Sequence, residues 1–402
     1  MLYCIDMNIR TVCLKLILLV GIASTPQLAL ATANLEVSGW IPYWRVAEGT
    51  KDAKKHLNKL DTIHPFAFTV KQDGSLSDQA GLSKNSWKSL FKSARSKNVE
   101  IIPTIMWSDG VNIHRVLSDD ELRQNHIDQI VKMVRKSKYA GVDIDYEAKK
   151  AETKDYFSLF LKELKNKLND KELICTIEAR TPPESLYSTI PTTLQYANDY
   201  VAIGTHCDRV QLMAYDQGRA DIKLNSTKNG SPYIPVADVD WVRKVVTLAL
   251  QSIPKEKLIL GVPTYGYEYE VMVSPNWYQN YRRLWSFNPP YAADIAKKYN
   301  LKPSRNRAGE MSLSYIATSS AIQLPNWTIA PTETPSGNTV AAKALNYANT
   351  TGQTMFFNLL WWSDAGGIED KVKLAKELDL RGVAIFKIDG AADPDLWKIF
   401  EN

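Results

Sequence analysis

The sequence predicts an α/β protein, a (β/α)8 TIM barrel with a small α+β insertion between its seventh and eighth strands. From Leu35 onward, short apolar segments rich in β-branched residues alternate with segments of helical periodicity. Eight such units imply a parallel sheet closed into a barrel, and most strands are continuously apolar, as expected when both faces are covered. The predicted strands are Val37–Tyr43, Thr62–Val70, Glu100–Trp107, Gly141–Glu147, Leu173–Arg180, Arg209–Tyr215, Leu258–Pro263 and Gly382–Ile388.

Amphipathic helices are predicted in the gaps between these strands. The clearest begins at Ser118, where Glu121 three residues later completes a capping box. A second helix is predicted from about residue 153 to 168, a third around Trp241, and a last one near 369–378. In the first three, apolar residues recur at helical spacing, which is typical of helices packed against a sheet.

The gap before the eighth strand is too long for a barrel loop. It holds about eighty residues rich in Tyr, Trp, Asn, Pro and Ser, whereas loops of that length without internal structure are uncommon. We predict an α+β subdomain at 267–347, inserted in one catalytic domain that spans 34–402. The stretch 326–339, with its Pro, Thr, Ser and Gly, is predicted to be an exposed loop.

Residues 1–33 have the layout of a secretory signal peptide. Arg10 and Lys15 precede the apolar run Leu16–Ile22, and small residues ending at Ala33 follow it. Cleavage after Ala33 would yield a protein that is secreted or held in the periplasm or cell envelope, without stable membrane insertion. The apolar run is short for a membrane span, and an uncleaved N-terminal anchor is the alternative.

Composition and charge narrow the class of protein. The chain has 402 residues, of which 45% are hydrophobic and 23% charged, values that are ordinary for a soluble globular protein. The formal net charge of +5 is small for this length, and basic and acidic residues are interspersed. Because nucleic-acid binding needs basic residues gathered into a patch, no nucleic-acid partner is predicted.

The four cysteines fall into two groups. Cys4 and Cys13 lie in the predicted signal peptide, which leaves Cys175 and Cys207 near the starts of the fifth and sixth predicted strands. An even pair in an exported protein allows a disulfide bond. Two separate buried thiols are the alternative.

The most informative segment is Gly141–Glu147, which carries three carboxylates at alternate positions. In a strand, Asp143, Asp145 and Glu147 project to the same side. Like charges this close repel one another, so the pKa of at least one must rise. In a barrel of this kind the active site lies at the C-terminal ends of the strands, which makes Glu147 the outermost acid.

Three interpretations account for the acids: one exposed strand face, a magnesium or calcium site, or a site of proton transfer. The apolar flanks disfavour an exposed face. Hard cations would take such oxygen ligands, but no second cluster with ligand spacing accompanies the three acids. We therefore favour proton transfer, with no metal and no cofactor.

The run Asp143–Glu147 resembles the fourth-strand signature of glycoside hydrolase family 18, the chitinase family. Five further segments resemble motifs of that family's first, second, sixth, seventh and eighth strands, in the same order along the chain. They are Gly39–Trp44, Phe66–Phe68, Gln211–Asp216, Leu260–Gly266 and Arg381–Ile385. The resemblance covers nearly the whole mature chain and implies a hydrolase of N-acetylglucosamine-containing polysaccharides.

The chain departs from the family pattern at three places. Ala140 stands where the family usually has another aspartate, and Phe386 where it often has a tryptophan. The third strand reads Thr104-Ile105-Met106-Trp107 where the family often has a Ser-x-Gly-Gly turn. In lacking this turn, the chain resembles the branch of spore-cortex and peptidoglycan glucosaminidases. The resemblance therefore leaves two substrate classes open, chitin-like glycans and peptidoglycan.

The resemblance implies substrate-assisted catalysis with retention, in which the sugar's own acetamido oxygen attacks the anomeric carbon. Glu147 would protonate the leaving oxygen. Asp145 would hold the acetamido N–H, Asp143 would share a proton or hydrogen bond with Asp145, and Tyr215 would donate its hydroxyl to the acetamido oxygen. Asp216 would contact the distorted sugar.

Aromatic residues near the strand ends are candidates for lining the cleft, because sugar rings stack on aromatic faces. The predicted substrate-binding residues, besides Asp216, are Met213, Trp44, Trp107, Tyr265 and Phe386. Each aromatic has burial in the core as its alternative. A catalytically silent glycan-binding protein on the same barrel is the alternative function, which the presence of Glu147 disfavours.

Overall fold

The computed structural model describes residues 35–227, 231–317 and 336–401, and the predicted signal peptide at 1–33 lies outside them. Eight parallel strands form the barrel. We number them in chain order. They are Glu36–Pro42, Thr62–Val70, Thr104–Trp107, Gly141–Tyr146, Glu172–Glu178, Arg209–Met213, Leu258–Pro263 and Gly382–Phe386.

The first strand closes the barrel by pairing on both edges. Gly39 is in register with Ile63 of the second strand and with Ile385 of the eighth. Every barrel strand thus has two parallel neighbours, which leaves no barrel strand with a free edge. The barrel predicted from the sequence is confirmed.

The third strand is shorter than predicted. A separate two-residue strand, Glu100–Ile101, pairs with the second strand, and Pro103 interrupts the ladder before Thr104. Proline has no backbone N–H to donate, so a break at this position is expected. A short strand, Leu76–Asp78, adds antiparallel to the far end of the second strand.

Helices surround the barrel in the gaps between its strands. Their bounds are Val46–Lys55, Asn85–Ser96, Gly110–Ser118, Asp120–Lys136, Lys154–Leu168, Pro183–Leu186, Tyr200–His206, Ile222–Thr227, Val239–Ala249 and Ala365–Glu377. Helical 3-10 turns lie at Tyr43–Arg45, Leu57–Lys59, Ala151–Thr153, Ser336–Asn338 and Leu396–Lys398. Within the described residues, no helix is long and apolar enough to cross a membrane.

The predicted cap at Ser118 was wrong by one residue. Ser118 ends one helix, and the Asp119 carboxylate caps the next by accepting a hydrogen bond from the Leu122 amide at 2.9 Å. Another helix ends directly before this cap. Its apolar periodicity continues into that of the following helix, so the sequence does not show the boundary.

The main hydrophobic core lies between the strands and the surrounding helices. On the fourth strand Val142, Ile144 and Tyr146 are fully buried on the helix side. The Tyr146 ring stacks on Phe160 of helix Lys154–Leu168, with ring centroids 5.6 Å apart. The alternate residues of this strand are thereby directed to the barrel axis.

In the described residues, the insertion consists of a five-stranded antiparallel sheet and two helices. Its strands in sheet order are Trp277–Phe287, Gly266–Ser274, Met355–Trp362, Met311–Tyr315 and Ser304–Arg305. The helices are Pro289–Lys298 and Thr339–Thr351. The predicted loop at 326–339 lies mostly outside the described residues.

The insertion extends past its predicted end at residue 347. Strand Met355–Trp362 pairs along the whole of Gly266–Ser274, from Gly266 opposite Trp362 to Val273 opposite Met355. An apolar run of this kind fits a barrel strand or an insertion strand equally well, and only its pairing partner distinguishes the two.

A buried ion cluster closes the base of the barrel. The Arg209 guanidinium is 5% exposed and donates to Glu36 at 3.0 Å, Glu100 at 2.7 Å and Glu172 at 2.9 Å. It also donates to the Thr62 hydroxyl. These partners stand at the first residues of strands, so one cation joins five strands at the end opposite the acids.

Cys175 and Cys207 form a disulfide bond, with Cα atoms 6.1 Å apart and a sequence separation of 32. Cys175 lies on the fifth strand, and Cys207 follows helix Tyr200–His206 just before the sixth. Of the two alternatives left open by the sequence, the structure has the disulfide.

We expect loss of this disulfide to destabilise the barrel. Closing a loop of this size restricts the unfolded chain and is worth about 3 to 4 kcal/mol. Replacing Cys175 and Cys207 together by alanine should lower the free energy of unfolding by about that amount in a denaturant titration. Adding a reductant should lower the stability of the wild type but leave the double variant unchanged, and equal sensitivity of both would contradict the prediction.

Candidate active site

Asp143 is the innermost acid of the fourth strand and is fully buried on the barrel axis. Its carboxylate accepts hydrogen bonds from Trp40 Nε1 at 3.1 Å, Thr104 Oγ1 at 2.6 Å and Thr176 Oγ1 at 2.7 Å. Burial raises the pKa of Asp143 to about 6, while the three hydrogen bonds act in the opposite direction. Burial therefore favours the protonated form of Asp143 more than that of an exposed aspartate.

Asp145 lies one step further along the same face and is 3% exposed. Its Oδ1 is buried and has no hydrogen-bond partner among the described residues. Burial, reinforced by the charges of Glu147 and Asp143, raises the pKa of Asp145 well above its usual value. A ligand with an N–H donor could satisfy this oxygen.

Glu147 follows the last residue of the fourth strand and is partly exposed. Its backbone N–H donates to the Trp107 carbonyl at 2.8 Å, which continues the strand pairing to the acid itself. Burial first, then the charges of Glu178 and Asp216, raise the pKa of Glu147, and Lys149 opposes them. An outer carboxyl with a raised pKa can hold a proton for transfer.

Tyr215 and Asp216 form the turn after the sixth strand. The Tyr215 ring is 9% exposed, and burial raises the pKa of its hydroxyl well above the usual value, so it remains a hydrogen-bond donor. A Cβ at Gly261 would lie 2.9 Å from the Tyr215 ring, so glycine lets the ring pack against the seventh strand. Asp216 has a φ of 59° and accepts from Tyr265 at 2.6 Å and Tyr267 at 2.7 Å.

A cavity of about 400 Å³ opens beside these groups. The predicted residues Trp44, Asp216, Tyr265 and Phe386 line it, and Phe386 stacks on Tyr215 with ring centroids 5.5 Å apart. The remaining lining residues come from three segments: Arg45, Tyr267 with Ser286, Phe287 and Asn288 of the insertion, and Lys387 with Asp389. The insertion thus forms one wall of the cavity.

Trp107 does not lie in this cavity. It is 3% exposed and pairs in register with Tyr146, and its ring packs edge-on against Tyr146 and His126 under the helices. Trp107 stands on the helix side of the third strand, and its neighbour Met106, in register with Asp145, packs with the interior cluster. The prediction that Trp107 lines the cleft was wrong, because side-chain alternation along the strand directs it toward the helices.

Met213, the last residue of the sixth strand, is half-buried and packs against the main core. It pairs in register with Glu178 at the same end of the fifth strand. It is not among the residues that line the cavity. Its predicted contact with substrate stays a prediction.

Two charged residues of the site were missed from the sequence: Glu178, at the end of the fifth strand, and Lys149. The Glu178 carboxylate accepts from the backbone N–H of Ala148 at 3.0 Å and from Asn198 Nδ2 at 2.8 Å. Ala148 has a φ of 52°, so Glu178 holds the turn that directly follows Glu147. An isolated Glu at a strand end carries no motif that would have identified it.

Lys149 is the one buried cation placed beside these acids among the described residues. Its Nζ lies 3.7 Å from Glu178 Oε2, donates to the Tyr146 carbonyl and sits 4.6 Å from the centre of the Phe157 ring. Burial lowers the pKa of Lys149, and the charges of Glu178, Asp145 and Glu147 oppose that shift. Glu178 and Lys149 thus act on Glu147 in opposite directions.

Glu147 and Asp145 are not among the residues that line the cavity, and they adjoin it through Asp216, whose charge acts on Glu147. This arrangement can donate a proton from Glu147 beside an aromatic-lined cavity and bind a polar group at Asp145. No set of three His, Cys, Asp or Glu side chains in the described parts of the chain is grouped to hold a metal ion. The chemistry available from these residues is acid–base catalysis.

The comparison with protein families agrees with this geometry. The model of glycosyl hydrolases family 18 matches residues 39–391. The chain belongs to this family. It is accordingly a glycosidase, and the matched segment contains all of the acids described above.

Individual relatives are more distant. The protein called cortical fragment-lytic enzyme in Bacillus subtilis is 23% identical over 92% of this chain and 74% of its own length. The Bacillus subtilis protein called uncharacterized glycosylase YvbX is 23% identical over 72% of this chain and 69% of its own. A chitinase structure from Chromobacterium violaceum superposes with a TM-score of 0.66 at 16% identity, over 91% of this chain and 98% of that one. At this identity the structural likeness supports the barrel fold.

We expect Glu178→Gln to move the alkaline limb of the pH profile of kcat/KM to lower pH. Glutamine keeps an acceptor for the Ala148 N–H but removes the negative charge that helps raise the pKa of Glu147, so this acid loses its proton at lower pH. Lys149→Met is the matched variant and should move the limb to higher pH. An unmoved limb in both variants would contradict the assigned electrostatics.

Trp44 and Trp107 should differ sharply when replaced by alanine. Trp44 is 48% exposed at the cavity, so Trp44→Ala should raise KM for a glycan with little change in stability. Trp107→Ala removes a core ring and should cost about 3 to 5 kcal/mol of folding free energy. Denaturant unfolding and steady-state kinetics on both variants check this, and a stable Trp107→Ala with a raised KM would reverse the placement.

Proposed function

We propose that this glycosidase cleaves β-1,4-linked N-acetylglucosamine glycans by a substrate-assisted, retaining mechanism. The observation that carries the proposal is the stack of Asp143, Asp145 and Glu147 on one side of the fourth strand, with Glu147 outermost. A single outer acid above a buried pair suits a reaction that needs one proton donor and a partner for the substrate's own amide.

Glu147 protonates the glycosidic oxygen as the bond to the leaving sugar breaks. Its raised pKa favours the protonated form that this step requires. Once ionised, the same carboxylate accepts a proton from the incoming water, which completes hydrolysis. The acid and base roles therefore fall on one residue in successive steps.

Asp145 binds the acetamido N–H through its unpartnered Oδ1 and orients the amide oxygen toward the anomeric carbon. The negative charge of Asp145 stabilises the oxazolinium ion that forms. Asp143 shares a proton with Asp145 because two like charges so deeply buried cannot both ionise at low cost. Tyr215, a hydroxyl donor at neutral pH, steadies the acetamido oxygen.

The glycan is either peptidoglycan or chitin, and a peptidoglycan substrate is supported by the name of the cortical fragment-lytic relative. We also propose that the protein acts outside the cytoplasm. The apolar segment at 16–22 with its basic flank supports export, as does the Cys175–Cys207 disulfide, since such bonds persist in oxidising compartments.

The test compares leaving groups. Glu147→Gln should lower kcat/KM for an N-acetylglucosamine oligosaccharide by roughly 10²- to 10⁴-fold, the usual contribution of a general acid. With a dinitrophenyl glycoside, whose leaving group needs no proton, the loss should be much smaller. Asp145→Asn should impair both substrates, because it acts on the acetamido group.

Glu152→Gln is the matched control, since this nearby carboxylate is 60% exposed and should leave both rates unchanged. Equal losses for both leaving groups in Glu147→Gln would remove the proton-donor role. If the wild type binds the oligosaccharide but releases no product, the protein is a glycan-binding member of the fold.

A further inference from the structure

The charged residues that line the cavity differ in how fully they are paired with hydrogen-bond or ion-pair partners. Asp216 and Asp389 are the acidic residues that line it. Asp216 accepts from two tyrosines, and Asp389 accepts from Asn288 at 2.9 Å, from the Ala391 amide and from Lys387. The acids of the cavity wall and the Lys387 ammonium are therefore already paired.

Arg45 is the exception. It follows the first strand, lines the cavity next to Trp44, and has a side chain 39% exposed. Its Nε is buried, and no acceptor in the described part of the chain bonds to it. Its ion pair is with Glu48, 3.9 Å from Nη1, a carboxylate that is itself 51% exposed. A guanidinium held this way has donors left for a ligand in the cavity.

We propose that Arg45 binds a carboxylate carried by a sugar of the glycan, and that the enzyme therefore prefers a carboxylated strand of the peptidoglycan type over uncharged chitin. This rests on the proposed function, because it assumes that the cavity holds sugars of the chain being cleaved. The ligand chemistry is a lactyl ether carboxylate on the sugar adjoining an N-acetylglucosamine.

The chemistry of the guanidinium favours this ligand. Arginine presents a planar fork of donors that matches the two oxygens of a carboxylate, and such charge-assisted bonds are about twice as strong as neutral ones. A sugar hydroxyl would accept one bond without supplying the missing charge. The exposed Trp44 ring beside Arg45 offers an apolar surface for the ring of the same sugar.

The proposal also places the enzyme in a sequence of reactions. In intact peptidoglycan the lactyl carboxyl is bound to a peptide through an amide and carries no charge. A free lactyl carboxylate appears only after that amide has been hydrolysed. An amidase reaction must therefore supply the substrate that Arg45 recognises.

The experiment uses three soluble substrates of equal length: a chitin oligosaccharide, a peptide-free peptidoglycan strand with free lactyl carboxylates, and that strand with its carboxylates converted to methyl amides. Steady-state kinetics are measured for the wild type, Arg45→Gln, and the control Arg282→Gln. Arg282 is 63% exposed and pairs with Glu270 outside the cavity.

Arg45→Gln should raise KM for the carboxylated strand about tenfold, as expected for one charged hydrogen-bonding contact, with little change in kcat. The chitin oligosaccharide and the methyl amide strand should be unaffected, and Arg282→Gln should match the wild type throughout. Equal losses on all three substrates, or no loss on any, would overturn the proposal.

Failure of the proposed function has a different signature, because the wild type would then cleave none of the three substrates. Calorimetric binding of the carboxylated and methyl amide strands to the wild type and to Arg45→Gln decides the Arg45 contact in that case. If the affinity depends neither on the free carboxylate nor on Arg45, the Arg45 contact is refuted. Unchanged thermal unfolding of Arg45→Gln shows that the variant is folded.

Discussion

The fourth barrel strand is hydrogen-bonded along both edges, so its side chains have only two directions available. Val142, Ile144 and Tyr146 take the side of the helices, where they are fully buried in the main core. The acids have to take the axis, where few water molecules can reach them. Burial of the apolar residues in the core that stabilises the barrel therefore also directs the three carboxylates to the opposite side of the strand, toward the axis.

Burial then does most of the electrostatic work. It is the largest cause of the raised pKa values of Asp143, Asp145 and Glu147, and repulsion among neighbouring carboxylates adds to it for the last two. The protein compensates the innermost acid with three hydrogen bonds and leaves an oxygen of the middle one free. The number of hydrogen bonds to the acids thus decreases from Asp143 toward the opening of the barrel. The inner acid is held in place, and the acids nearer the opening remain available for chemistry.

The opposite end of the barrel shows how differently the same kind of charge is used. There Arg209 donates direct hydrogen bonds to Glu36, Glu100 and Glu172 in one cluster. At the upper end Lys149 is the one buried cation among the described residues beside several carboxylates, and burial lowers its own pKa. The carboxylates at the base are held by hydrogen bonds to one cation, where strands must be joined, whereas those at the top repel one another, where protons are exchanged.

The sequence alone determined the barrel, the direction of the three acids and the outermost place of Glu147, because periodicity and strand alternation are local properties. It could not place Trp107, whose side depends on where Pro103 breaks the third strand, nor recognise strand Met355–Trp362 as part of the insertion. Glu178 gained its importance from the turn after Glu147, Lys149 from its ion pair with Glu178, and Arg45 from a cavity shared with the insertion. Tertiary structure decided these roles, because contacts between segments distant in the chain leave no periodic pattern in the sequence.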